Sequence, residues 1–108
     1  MRKTEIADKQ QEFAYNKMVK LAGHFHQVVS GFNRKGHKYL QDKVLQDIDE
    51  VTLMIHECDC TCVPLIEHLF NEVDTLLHIS VELKLIEAEQ ALFCSKEMDR
   101  INGYLDEW

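Results

Sequence analysis

Apolar residues recur along this chain at steps of three and four, the spacing that places them on one face of an α-helix. Four such series follow one another in the sequence. Their members are Ala14, Met18, Leu21, Phe25 and Val28; Leu40, Val44, Ile48, Val51 and Ile55; Ile66, Leu69, Val73, Leu76, Ser80 and Leu83; and Ala91, Cys94, Met98, Ile101, Leu105 and Trp108. We therefore predict four helices, at about residues 4–30, 36–57, 63–85 and 88–106.

Candidate caps and breaks lie between these series. Gly31 suits the C-terminal cap of the first helix, and Asn33 suits the N-terminal cap of the second. Thr61 suits the cap of the third helix, because Pro64 is tolerated only in a first helical turn. A phase shift after Leu83 predicts the last break near residues 86–88. No glycine or proline marks that break, so one continuous long helix stays an alternative.

Short connections between four helices favour antiparallel neighbours, and hence an all-α, up-down-up-down four-helix bundle. The chain has 108 residues, of which 45% are hydrophobic, which is enough for one domain with its own core. Four glycines and one proline are too few to punctuate a strand-rich sandwich. We therefore treat residues 1–108 as a single domain.

Charge is divided unevenly along the chain. The formal net charge is −7, but residues 1–43 carry nine basic and four acidic residues, a net of +5, and residues 44–108 carry three and fifteen, a net of −12. The split predicts that the N-terminal part meets an anionic partner, while the rest faces water or a basic partner. Attraction between helices inside the bundle is the alternative.

Location can be predicted from the same pattern. No segment reaches the ~20 consecutive apolar residues of a membrane span, and Arg2 and Lys3 lead into a charged stretch rather than a signal-peptide apolar region. We expect a cytoplasmic protein. Its four cysteines should then be reduced thiols.

Basic residues cluster where the first two helices join. Arg34, Lys35, His37 and Lys38 lie within five residues, next to the positive N-terminal end of the second helix dipole. This arrangement fits phosphate binding. Lys17 and Lys20, with His24 and Gln27, recur on one polar face of the first helix and would extend the patch. The alternative is a solvated loop with ordinary surface lysines.

Three cysteines at two-residue steps form the most unusual local feature. Cys58, Cys60 and Cys62 would chelate a soft metal if the connection curls, with His56 or His68 as a fourth ligand. Zinc sites usually combine two separated pairs, however, so burial between helices or reactivity toward oxidants are the alternatives. The Glu-x-x-His pairs of di-iron bundles do not occur in the sequence. We predict no cofactor.

Catalytic motifs are not evident either. The sequence holds no glycine-rich phosphate loop or nucleophile motif, and Cys94 lies on an apolar series where it should pack. We therefore expect a protein that is not an enzyme. The third helix is apolar over more than one stripe, and Tyr104 and Trp108 add aromatic surface, so we expect self-association.

Three segments carry a resemblance to a known family. They are residues 32–38 (Phe-Asn-Arg-Lys-Gly-His-Lys), residues 65–86 with Leu76-Leu77 and Leu83-Lys84-Leu85-Ile86, and residues 98–105. From about Tyr15 onward the chain resembles the four-helix-bundle accessory variability determinants of diversity-generating retroelements, and more distantly the bundle proteins encoded in 23S rRNA intervening sequences. It departs from the pattern at Asn33, where proline is usual, and in being acidic overall.

The resemblance implies a non-catalytic accessory protein. It implies a ring-like homo-oligomer, such as a pentamer, that binds the retroelement's reverse transcriptase and contacts RNA or DNA through basic surface. On this interpretation Arg34, Lys35, His37 and Lys38 would contact phosphate, and Lys17 and Lys20 would add positive potential. Two rival hypotheses remain: a protein-only adaptor that docks a basic partner on acidic helices, and a soft-metal or redox bundle centred on Cys58, Cys60 and Cys62.

Overall fold

The computed structural model describes residues 2–57 and 60–106, with side chains from residue 9 onward except that of residue 60. Within these ranges the chain forms four α-helices and no strand. The helices are α1 (Arg2–Val28), α2 (Lys38–Glu57), α3 (Val63–Glu82) and α4 (Ala88–Asp106), with single 3-10 turns at Asn33–Lys35 and Cys60–Cys62. The predicted all-α class is confirmed.

The helices pack in a ring in which each contacts the next, and α4 contacts α1. The Gln11 side chain near the start of α1 donates to the carbonyl oxygen of Ile55, near the end of α2, at 2.8 Å. The His24 ring near the end of α1 lies 5.1 Å from the ring of Phe93, near the start of α4. Neighbouring helices are therefore antiparallel, as an up-down-up-down bundle requires.

The predicted apolar series form the core, with two corrections. The first series closes at the fully buried Val29 rather than at Val28, because Phe25 and Val29 are four residues apart. Leu83 was expected inside but is exposed, since α3 has already ended before it. Trp108 lies outside the described residues. The largest fully buried side chains are those of Phe25, Phe32, Met18, Ile48, Ile55, Ile66, Leu77, Ile101 and Leu105.

The α1–α2 link (residues 29–37) differs in detail from the prediction. Gly36, not Gly31, adopts the left-handed conformation, with φ of 85°. Asn33 opens the 3-10 turn and does not cap α2, which begins five residues later. Instead the Asn33 backbone N–H donates to the side-chain oxygen of Gln41 at 3.0 Å, and the buried Phe32 ring anchors the link to the core. The link is therefore held at its middle by Phe32 and Asn33.

The α3–α4 link (residues 83–87) confirms the predicted break, although α3 ends at Glu82 rather than near residue 85. Lys84 takes the left-handed conformation, with φ of 61°. The Lys84 N–H donates to the carbonyl of Val81, and the Leu85 N–H donates to that of Ser80, both at 2.9 Å. This pair of bonds is a Schellman motif, which normally uses glycine where Lys84 stands.

The third connection leads into α3. Its N-cap is Cys62 rather than Thr61, and Cys62 makes no side-chain capping bond. Pro64 lies in the first turn of α3, as its missing N–H requires.

Candidate nucleic-acid interface

The α1–α2 link displays its cations outward. Arg34, Lys35 and Lys38 are exposed, and His37 is half-buried. Their backbone is set by the buried Phe32 on one side and by Gly36 on the other, because a left-handed residue is needed to turn the 3-10 segment into α2. The structure thus holds all four predicted link residues at one end of the bundle.

Two of these four cations form no ion pair among the described residues. Lys38 forms an exposed ion pair with Asp42, one turn further along α2, with 2.6 Å between Nζ and Oδ2. Within residues 2–57 and 60–106, no ion pair involves Arg34 or Lys35. The exposed pair at Lys38 contributes little to stability and is screened by salt. The side chains of Arg34 and Lys35 are therefore accessible to an anion.

Lys17 and Lys20 are exposed but lie apart from the link. They precede the end of α1 by eleven and eight residues, which is about 16 and 12 Å along the helix axis. Together with Phe13 and Asn16 they line a shallow depression on the surface of α1. The structure therefore arranges the predicted cations in two groups, one at the bundle end and one along its side.

Two aromatic residues near Lys17 and Lys20, Phe13 and Phe93, were not predicted as site residues. The Phe13 ring lies 4.9 Å from that of Tyr104, and the Phe93 ring meets His24, so each pair joins α1 to α4. Phe13 and Phe93 fall between the core positions of their helices and therefore belong to no apolar series. The sequence does contain one indication of Phe13: it precedes Lys17 by four residues, and Lys20 follows three residues later, so all three lie on one face of the helix.

A charged cluster at the α2–α3 seam also went unpredicted. Lys43 Nζ lies 2.8 Å from a Glu72 carboxylate oxygen and 3.5 Å from Oδ1 of Asp47, which is almost fully buried. Burial, followed by the neighbouring Glu72, raises the pKa of Asp47 to about 6, and Lys43 opposes that rise. The hydrogen bond to Lys43 lowers the pKa of Glu72 and, from the other side, raises that of Lys43. This cluster makes the seam sensitive to pH near neutrality.

The cysteines divide into two kinds. Cys94 packs in the core as predicted, and burial, followed by the charge of Glu97, raises the pKa of its thiol to about 11. The expectation of reduced thiols is wrong for Cys62, which is disulfide-bonded. Cys58 and the side chain of Cys60 lie outside the described residues.

The structure describes three members of the predicted metal-ligand set, which are His56, Cys62 and His68. Among the described side chains, no three His, Cys, Asp or Glu residues group closely enough to hold a metal ion. A sulfur in a disulfide is also not the thiolate that a soft metal needs, so Cys62 does not fit the predicted ligand set in this state.

None of the described helices combines the length and the apolar character needed to cross a membrane. No family model, curated protein or solved structure matches this chain.

Proposed function

We propose that this chain is a non-catalytic, cytoplasmic accessory protein of a diversity-generating retroelement, which binds the reverse transcriptase and contacts RNA or DNA through basic surface. The observation that carries the proposal is the pair of exposed cations Arg34 and Lys35, which form no ion pair among the described residues, on a link with a fixed backbone. A rigid display of cations lowers the ordering cost of phosphate contact.

The N-terminal end of α2 strengthens the same surface. The first N–H groups of a helix have no partner within the helix and carry a partial positive charge. Lys38 is the first residue of α2, so its ammonium group and the helix dipole add their fields beside Arg34 and Lys35. Phosphate is the group of nucleic acids that such a surface recognises.

Self-association belongs to the proposal as well. Tyr39 near the start of α2 is 75% exposed, and Ile79 and Leu83 at the end of α3 are also exposed. Because α2 and α3 are antiparallel neighbours, these side chains lie at the same end of one seam. Exposed apolar side chains grouped in this way suit a contact between subunits.

The partner enzyme would meet a different surface. Asp74, His78 and Glu82 of α3 line a groove with Ala88 and Leu92 of α4. Polymerases carry positively charged channels for nucleic acid. The acidic groove therefore suits a basic protein, and it favours the protein-only adaptor as the second candidate function.

Salt-dependent nucleic-acid binding tests the first proposal. We expect Arg34→Ala/Lys35→Ala to weaken binding of a labelled RNA by about tenfold at 50 mM salt and to make the slope of log K against log salt shallower by about 1.4, two single-strand phosphate contacts. The control is Lys84→Ala/Lys96→Ala, which removes two exposed lysines that lie outside the α1–α2 link. Equal losses in both double variants, or no binding by the wild type, would contradict the proposal.

Partner binding needs a separate measurement. We expect the purified chain to co-elute with a reverse transcriptase encoded beside its gene, and Asp74→Lys/Glu82→Lys to abolish that co-elution. If the complex forms while the wild-type chain binds no RNA, the adaptor function replaces the nucleic-acid function. If neither complex forms, the accessory role is wrong.

A further inference from the structure

The groove between α1 and α4 (the α1–α4 groove) has two matching edges. On α1 the residues that face α4 are spaced by four, three and four, and so are the residues of α4 that face α1. The two edges are Phe13, Lys17, Lys20 and His24, and Phe93, Glu97, Arg100 and Tyr104. Because the helices are antiparallel, an aromatic pair closes each end and the charged residues lie between.

Each aromatic pair leaves ring surface open. Phe13 is 51% exposed and Phe93 is 50% exposed, although each already contacts a second ring. A ring that already packs against another ring is ordered, so it loses little further conformational freedom when a planar group stacks on its open face. These two phenylalanines therefore form fixed surfaces on which flat groups can stack.

The stretch between the pairs is positively charged. Lys17 and Lys20 are exposed, and no ion pair within the described ranges involves either of them. Glu97 is the acid of the two edges, and its carboxylate accepts from Arg100 at 2.8 Å. Among the described residues, the groove therefore has two lysines outside any ion pair, and its one acidic edge residue, Glu97, is paired with Arg100.

The dimensions match a short stretch of one nucleic-acid strand. Phe13 and His24 are eleven residues apart on α1, which is about 16 Å along the axis. At 3.4 Å per stacked nucleotide, this distance covers about five nucleotides. Bases would stack at the two ends, while the phosphates between them pass Lys17 and Lys20.

We infer that the α1–α4 groove is a binding site for single-stranded RNA or DNA, which it prefers to a duplex. Bases in a duplex are already stacked and paired, so their faces cannot reach Phe13 or Phe93. The inference rests on the proposed nucleic-acid function and adds to it a second surface, the strand state of the ligand and the residues that read it.

Fluorescence anisotropy with a labelled 12-nucleotide oligouridine, and with a duplex RNA of the same length, tests the inference. We expect Phe13→Leu/Phe93→Leu to weaken oligouridine binding by about tenfold or more, because base stacking on an aromatic ring is lost. Duplex binding should stay within about twofold. The control is Leu53→Ala, which shortens an exposed apolar side chain on α2 outside the groove and should change neither affinity.

A second variant covers the case in which the phenylalanine changes unfold the protein. Lys17→Ala/Lys20→Ala alters only exposed positions, and it should also weaken oligouridine binding more than duplex binding. If the groove variants keep the wild-type affinity while Arg34→Ala/Lys35→Ala loses it, the groove inference is wrong and the link function stands. If the wild type binds neither RNA at low salt, both are wrong.

Discussion

The two links at one end of the bundle solve the same geometric problem with different residues. Each reverses the chain, each places one residue in the left-handed conformation, and each buries apolar side chains, Val29 and Phe32 in the first link and Ile86 in the second. The left-handed residue is Gly36 in one and Lys84 in the other.

The two links differ in length, and the additional residues of the longer one carry the proposed binding residues. The α3–α4 link reverses the chain in five residues, whereas the α1–α2 link uses nine. The additional residues form the 3-10 turn that carries Arg34 and Lys35, while the shorter link exposes Lys84 and Glu87, whose charges cancel. The α1–α2 link is therefore longer than a chain reversal requires, and it is this link that displays the proposed binding residues.

The largest expected effect comes from the buried anchors. Phe32→Ala should lower the free energy of unfolding by about 3–5 kcal/mol, and Ile86→Ala by about 2–4 kcal/mol, because each leaves a cavity at the end of the core. Urea denaturation measures both. Leu53→Ala, at an exposed position on α2, is the matched control and should cost less than about 0.5 kcal/mol. An equal effect at Leu53 would show that the links are not anchored by Phe32 and Ile86.

Nucleic-acid affinity sharpens the result for these anchors. If Phe32 positions the cations, Phe32→Ala should also weaken RNA binding under conditions in which the protein remains folded, and Ile86→Ala should not. Loss of RNA binding in both variants would instead indicate general destabilisation.

The helices were predictable because their information is local. Periodic apolar residues determine which face of each helix is buried, and that pattern yielded all four helices and nearly all of the core. The end of α3 was misplaced because Lys84 adopts a conformation that its residue type does not signal. Gly31 was the predicted cap, but Gly36 takes the left-handed conformation, because the position of the turn depends on where Phe32 enters the core.

The candidate sites were less predictable because they depend on neighbours distant in sequence. The link cations were found because they are contiguous. Phe13 and Tyr104, by contrast, are brought together only by the packing of α1 on α4. The burial of Asp47 likewise follows from the packing of α3 on α2, since its own helix shows it simply as one acid among several.

Asp47 at the α2–α3 seam lies outside both links. Its titration provides a pH-dependent test of stability that does not depend on either link. The pKa of Asp47 is raised in the folded protein, so the associated stability is fully present below pH 3.8 and is lost as pH rises through about 6. Asp47→Asn resembles the protonated form. We expect it to stabilise the protein by about 1–2 kcal/mol at pH 8 and by almost nothing at pH 4; the upper limit for a rise in pKa from 3.8 to about 6 is ~3 kcal/mol.

Urea denaturation at the two pH values measures this change. The control is Asp42→Asn, which alters an exposed acid on the same helix and should change stability by less than about 0.5 kcal/mol at either pH. A destabilised Asp47→Asn protein at pH 8 would mean that the contact with Lys43 outweighs the cost of burying the charge.

The smallest effects concern the two left-handed residues and should have opposite signs. Gly36→Ala should lower the free energy of unfolding by about 1 kcal/mol; a Cβ there meets no atom within 4 Å, so the cost is conformational alone. Lys84→Gly should raise it by about 0.5–1 kcal/mol, because glycine relieves the strain of φ at 61° and loses part of that gain to chain entropy. Thermal melting of both variants beside Lys35→Ala, an exposed substitution in the 3-10 turn, gives the comparison. Destabilisation by Lys84→Gly would mean that the lysine side chain itself stabilises the second link, and the two links would then differ in how they turn as well as in what they display.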